Sequence, residues 1–296
     1  MIFLNKKIKR WTAILALISM VWVFFPLAAS ADKIEGRTVV TLGENLNDDQ
    51  RKKMLQEMGV DEQTEIIFVS NKEEHQYLGK YISKDKIGTR AISSVKITLT
   101  PEGSGINVTT KNISWVTEAM FANALATAGV TDADVYVTAP FLVSGTAGLT
   151  GLLKAFEIAA DIEISEEQKQ VANEEMVRTA ELGESIGQEE AAELMMRLKE
   201  ALGNTTLETD EDYRNLIQQV ASEIGVSLNE QDIQSLIHLL KRLKGLNINW
   251  DQVGKQLQNI RDNLDDFLNR EDTRGMIRQF LDFIIALIDR VKTLFA

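Results

Sequence analysis

Cysteine is absent from this chain of 296 residues. That excludes disulfides, thiol nucleophiles and thiolate metal sites, and leaves stability to a hydrophobic core, which a chain of this length can build. Proline occurs only as Pro26, Pro101 and Pro140. Scarce proline beside abundant Ala, Leu, Glu, Gln and Lys favours helix. Histidine occurs twice. His75 adjoins Glu73 and Glu74, and His238 lies in "SLIHLLKRL", where a neutral, half-buried ring is expected. Two such distant histidines make no zinc constellation, and neither a metal nor a cofactor is expected. Positive charge is in deficit: 32 Lys and Arg stand against 44 Asp and Glu, a formal charge of −12. An acidic surface repels nucleic acid, so no nucleic-acid partner is expected.

The first residues carry a targeting pattern. Lys6, Lys7, Lys9 and Arg10 precede the apolar stretch "WTAILALISMVWVFFPLAAS", and Ala29-Ser30-Ala31 is a small-x-small cleavage site. Residues 1–31 are expected to be a signal peptide cut near Ala31, or else an uncleaved N-terminal anchor. Either outcome makes the protein secreted, extracellular or envelope-associated. Without those four basic residues the formal charge of −12 becomes −16. No cysteine follows the stretch, which excludes a lipid-anchored precursor, and no sortase-type LPxTG signal appears.

Periodicity then divides the chain. "RTVVTL" and "TEIIFVS" read as strands, with the helix "NDDQRKKMLQEM" between them, its capping box formed by Asn47 and Gln50. "ISSVKITLTPEGSGINVTTKNISW" reads as a hairpin about Pro101–Gly105, "TEAMFANALATAG" as a helix and "DADVYVTAPF" as a strand. Gly-Val follows a helix at Gly59, Gly129 and Gly225, either as a capping device or, for the first two, as a duplication. Beyond Asp161 only helical spacing remains. The expected layout is α+β: a signal peptide (1–31), a mixed α/β domain (32–160) and an all-helical domain (161–296). The helix from Glu166 to Leu182 is polar almost all round and reads as a connector or a partner-binding segment.

No motif names a reaction. "SGTAGLTG", Ser144–Gly151, has the strand–glycine–helix order of a phosphate cradle. Leu152 and Leu153 stand where a Walker loop needs Lys and Ser/Thr, the spacing is not G-x-G-x-x-G, and Ser144 is not flanked as a nucleophile elbow requires. It reads as a tight turn capped by Ser144 or Thr146, or as an anion or glycan contact at exposed amides. "SKDK" at Ser83–Lys86 matches S-x-x-K without its companion elements and reads as a polar loop. The carboxylates, Asp132 and Asp134 among them, read as surface charges, and no glycosidase pair stands out. From Met276 to Phe295 an apolar arc that includes Phe280, Phe283, Ile284, Leu287, Val291 and Leu294 faces a polar one. This terminal helix either docks on the bundle or meets a membrane surface or partner.

"VVTLGENLNDDQRKKMLQEMGV", "YLG", "IGTRAISSVKI", "EGSGINVTTKNISWVT" and "AGVTDADVYVTAPFLVSGTAGLTGLLKAFE" together resemble domain-of-unknown-function family 1002, exported proteins of Gram-positive bacteria. The resemblance runs over nearly all of the chain beyond residue 31. It implies export and a two-part layout, and it carries no activity, substrate or cofactor. The positions it singles out are Gly88, Thr89, Arg90, Asn112, Trp115, Pro140, Ser144, Gly145, Thr146, Thr150 and Gly151. One departure is the aliphatic tail "FLDFIIALIDRVKTLFA", which has no tryptophan.

Three functions follow as expectations. The first is a non-enzymatic envelope or extracellular interaction module, using the "IGTRAIS" and "SGTAGLTG" loops and the terminal helix. The second is a hydrolase of wall glycan or peptide with Ser/Thr or carboxylate chemistry, which requires Arg90 and Ser144 or Thr146 in one cleft beside a carboxylate. The third is peripheral membrane binding through the terminal helix.

Overall fold

The computed structural model describes residues 35–61 and 63–269. The expected targeting segment (1–31) and the expected amphipathic helix (276–295) lie outside these residues. Five strands form one sheet: β1 (Thr38–Gly43), β2 (Glu65–Val69), β3 (Ser94–Leu99), β4 (Ile106–Ile113) and β5 (Ala133–Val143). Helix α1 (Asp48–Met58) links β1 to β2, and α2 (Asn71–Leu78) and the short α3 (Lys84–Ile87) lead from β2 to β3. Helix α4 (Glu118–Thr127) links β4 to β5, and α5 (Thr146–Ala160) follows β5. Then come α6 (Glu166–Ile186), α7 (Gln188–Asn204), α8 (Asp210–Glu223), α9 (Glu230–Gly245) and α10 (Trp250–Asn269). The protein is α+β, and beyond residue 160 the described residues contain helices only.

The sheet order is β2-β1-β3-β5-β4, so the expected β3–β4 hairpin does not exist. Strand β5 inserts between the two, antiparallel to β3 and parallel to β4. Asp132, expected on a solvated face, is buried, and its carboxylate accepts from Gly103 N and Gly105 N at 2.9 and 3.1 Å. The Pro-Gly turn is thereby tied to the start of β5 instead of closing a hairpin. The β4–β5 register shifts between Lys111 and Ile113, where Asn112 sits at φ 60° and donates from Nδ2 to Ala139 O at 2.7 Å.

Alternation assigns the sheet its two faces. Val40 and Leu42 meet Met54 and Met58 of α1 on one side. Val39, Ile97 and Val137 pack on the other with Phe121 of α4 and Phe156 of α5, in a cluster that continues through Met176, Leu198 and Leu240. That core crosses residue 160 without interruption. A Cβ at Gly148 would stand 2.9 Å from Val137 Cγ1, and one at Gly151 would stand 2.7 Å from Thr41 Oγ1. The glycines of "SGTAGLTG" therefore let α5 press onto the sheet.

The three Gly-Val caps share one geometry. Gly59, Gly129 and Gly225 all have positive φ, and the valine N–H after each reaches back to Leu55, Leu125 or Ala221 O. This is the Schellman arrangement.

Helix α6 corrects the connector reading. Val171, Met176, Val177 and Ala180 are buried, and so are Asn173, Glu174, Glu175 and Thr179. Its polar residues are core residues with partners. Lys199 Nζ donates to Glu175 Oε1 at 2.9 Å and to Asn123 O at 2.7 Å, and the Thr127 hydroxyl donates to Glu175 Oε2. Burial pushes the Glu175 carboxyl up and the Lys199 ammonium down, and each attracts the other's charged form. Glu174 accepts from Arg242, which also donates to Tyr81 Oη at 3.0 Å. His238, expected half-buried, is exposed beside Glu174.

Candidate functional site

A cleft of about 360 Å³ opens where β5 ends and α5 begins. One wall is the segment Lys86 to Arg90, and the other is Val143 to Ala147 with Phe141 at the lip. The chain makes both walls by backbone means. Gly145, at φ 100°, turns the strand into the helix, and a Cβ there would meet Ile113 Cγ2 at 2.6 Å. Gly88, at φ 79°, turns the opposite wall. Its carbonyl accepts from Asn71 Nδ2 at 3.3 Å and from His75 Nε2 at 3.0 Å. His75 is thus a structural donor, while Glu73 pairs with Lys154 at 2.6 Å. Among the described residues no group of three or more His, Cys, Asp or Glu could hold a metal ion.

The interior of the cleft is a short polar relay. Glu74, 1% exposed, accepts from Thr146 Oγ1 through Oε1 and from Asn71 Nδ2 through Oε2, both at 3.0 Å. Ser144 Oγ lies 3.2 Å from Thr146 Oγ1. Desolvation outweighs both hydrogen bonds and pushes the Glu74 carboxyl up to about 7. Of the two residues expected to cap α5, Thr146 therefore turns to Glu74 and Ser144 to Thr146. Helix α5 starts with Gly145 at its N-cap, no side-chain cap and no acidic residue in its first turn.

The rim is cationic. Arg90 is exposed and donates to Asn45 O at 3.2 Å. Lys86 pairs with Glu184 of α6 at 2.5 Å, and its Nζ lies 5.2 Å from the centre of the Trp115 ring. Trp115 Nε1 donates to the same carboxylate at 2.9 Å, and the Lys86 hydrogen bond holds Glu184 below the usual carboxylate range. Phe141 and Leu142 beside the cleft are exposed apolar groups, at 45% and 68%.

The cleft thus brings together Gly88, Thr89, Arg90, Ser144, Gly145 and Thr146, with Trp115 reaching it through Lys86 and Glu184. Asn112 serves the β4–β5 bulge and Pro140 is a half-buried residue of β5. Thr150 and Gly151 are buried along α5, away from the opening. Phe280, Phe283, Ile284, Leu287, Val291 and Leu294 lie outside the described residues. Reasoning from sequence missed Glu74 and Lys86 as lining residues. The signal for Glu74 was available: Ser70 and Glu73 form a capping box that starts α2, and the i, i+4 spacing puts Glu74 on the buried face with Leu78.

Fold and cleft together define an α+β protein with a half-open site lined by two cations, four hydroxyls and one buried carboxyl. The chain belongs to the family described as "Protein of unknown function (DUF1002)", which matches residues 42–260. It is 43% identical over 288 residues to the Bacillus subtilis (strain 168) protein named "Uncharacterized protein YpuA", across 97% of this chain and 99% of that one. No solved structure matches.

Proposed function

We propose that this protein is a binding module acting outside the cytoplasmic membrane, and that its cleft takes an anionic group, carboxylate or phosphate, of an envelope or extracellular ligand. One observation carries the reading. In a chain with 44 acidic residues, the cleft is lined by Arg90 and by Lys86, the latter paired with Glu184, while the one carboxyl among its described lining residues, Glu74, is pushed toward the neutral form. The uncapped start of α5 adds backbone N–H groups and the positive end of a 15-residue helix. The exposed Phe141 and Leu142 extend this surface with apolar area.

Co-sedimentation of residues 32–296 with purified bacterial cell wall tests the reading. A charge-assisted hydrogen bond is worth about 1.5–3 kcal/mol, so Arg90→Ala is expected to weaken binding by about tenfold or more. Binding equal to wild type in Arg90→Ala and in Ser144→Ala would refute a site in this cleft.

The relay favours a second reading, hydrolysis of a wall glycan or peptide. In it the Ser144 oxygen adds to a scissile carbonyl while its proton passes through Thr146 to an ionised Glu74. Collapse breaks the bond to the leaving amine or alcohol, which takes that proton back through Thr146, and water then hydrolyses the acyl-Ser144 ester. An activity screen on wall peptide and glycan separates the two. Turnover lost in Ser144→Ala, with binding retained, supports the enzyme, whereas binding without turnover supports the module. A role for the terminal helix at a membrane surface is tested by liposome co-sedimentation of a chain ending at Arg274. Among the described residues no helix is long and apolar enough to cross a membrane.

A further inference from the structure

A second concavity, of about 180 Å³, lies between the end of α4, the start of α6 and the α9–α10 turn. Its polar side chains are five carboxamides, Gln168, Asn247, Asn249, Gln252 and Gln256, and no charged residue lines it. That is a marked depletion in a chain that is 26% charged. Val130 and Val253 supply apolar wall. Asn247, Asn249 and Gln252 are exposed, Gln168 is half-buried, and Gln256 is 6% exposed. Two of the amides already have work inside the fold. Gln168 Nε2 donates to Thr127 O at 3.0 Å, and Asn249 Oδ1 accepts from Gln252 N at 3.1 Å. Gln256 Oε1 is different, because it is buried with no hydrogen-bond partner among the described residues. A buried acceptor left unmatched costs about 1–3 kcal/mol.

The geometry points to a binding site for one neutral sugar unit. Each sugar hydroxyl both donates and accepts, and a carboxamide is the side chain that offers both roles from one planar group without charge. An anion would find no cation here, and a cation no carboxylate. At about 30 Å³ of liquid volume per water, the space corresponds to roughly six waters, the scale of a single ring rather than of a chain. A turn of the Gln256 side chain toward the opening would bring Oε1 to a ligand hydroxyl, its missing donor, and Val130 and Val253 would meet the C–H face of the ring. This site lies apart from the cleft at the start of α5 and does not depend on what that cleft binds.

Saturation-transfer NMR and calorimetric titration of the full chain with glucose and N-acetylglucosamine test the proposal, with glucuronate as the charged comparison. We expect the neutral sugars to bind and glucuronate to bind more weakly. Gln256→Met and Gln252→Ala are each expected to weaken binding at least tenfold, and Arg90→Ala to leave it unchanged. Gln256→Met also reads the orphan acceptor directly, since losing an unmatched oxygen leaves the melting temperature equal or higher. Failure of both neutral sugars to bind, binding indifferent to both amide substitutions, or a melting temperature several degrees lower in Gln256→Met would each overturn the proposal.

Discussion

Replacing Glu74 by glutamine should stabilise the protein, and by an amount that depends on pH. The Glu74 carboxyl titrates near its ordinary value of 4.5 in the unfolded chain and near 7 in the folded one. Between those values the folded state keeps a proton that the unfolded state has lost, so this group's contribution to stability falls as pH rises. At about 1.36 kcal/mol per pKa unit, the full penalty is about 3 kcal/mol above pH 7, of which about 2 kcal/mol develops between pH 5.5 and 8.5. Glutamine imitates the protonated acid, since its oxygen accepts from Asn71 Nδ2 and its N–H₂ faces Thr146 Oγ1, which can then donate to Ser144. Urea unfolding across pH 5.5–8.5 stays clear of the isoelectric point near 4.8. The advantage of Glu74→Gln over wild type should grow by about 2 kcal/mol across that range. A constant difference, or a variant that loses ground as pH rises, would show that Glu74 ionises freely and that the relay is misassigned.

Substitutions at Lys199, Gly151, Gly254 and Asn112 examine the framework. Lys199→Met strands the buried Glu175 carboxylate and should cost about 3–5 kcal/mol in urea unfolding, most of it recovered in the Glu175→Met, Lys199→Met double variant. Gly151→Ala drives a methyl to 2.7 Å from Thr41 Oγ1 and should cost about 1–3 kcal/mol, whereas Gly254→Ala, with nothing within 4 Å of the added Cβ, should gain about 0.5–1 kcal/mol of helix stability. Asn112→Ala loses both the tolerated positive φ and the bond to Ala139 O, and should lower the melting temperature by several degrees more than Asn112→Gly does.

What could be read from residues alone follows from how local each feature is. Capping is written within a few residues, so Asn47 with Gln50 and the three Gly-Val stops are legible as sequence and recur as geometry. Ser165 and Gln168 have the spacing of another capping box, yet only half of it forms: Ser165 caps Gln168 N while the Gln168 side chain donates to Thr127 O. Strand pairing is non-local. Nothing within residues 94–113 reveals that β5 will come between β3 and β4, since its anchor, Asp132, lies 27 residues beyond Gly105. Hydropathy misjudges α6 because a charge buried with a partner on another helix, as Glu175 is with Lys199, looks the same in sequence as a solvated one. The cleft was half legible. Its loops stood out as glycine turns, but the carboxyl that gives it chemistry comes from α2, some 70 residues upstream of Thr146.

Amide chemical-shift mapping of the folded chain with inorganic phosphate and with soluble cell-wall fragments locates anion contact at the cleft without presuming a reaction. Saturable shifts are expected on Lys86–Arg90 and Ser144–Ala147, and for carboxylate-bearing fragments they should strengthen as pH falls below about 7 and Glu74 becomes neutral. Saturable shifts confined to other surfaces, or none with either probe, would contradict an anion site in this cleft.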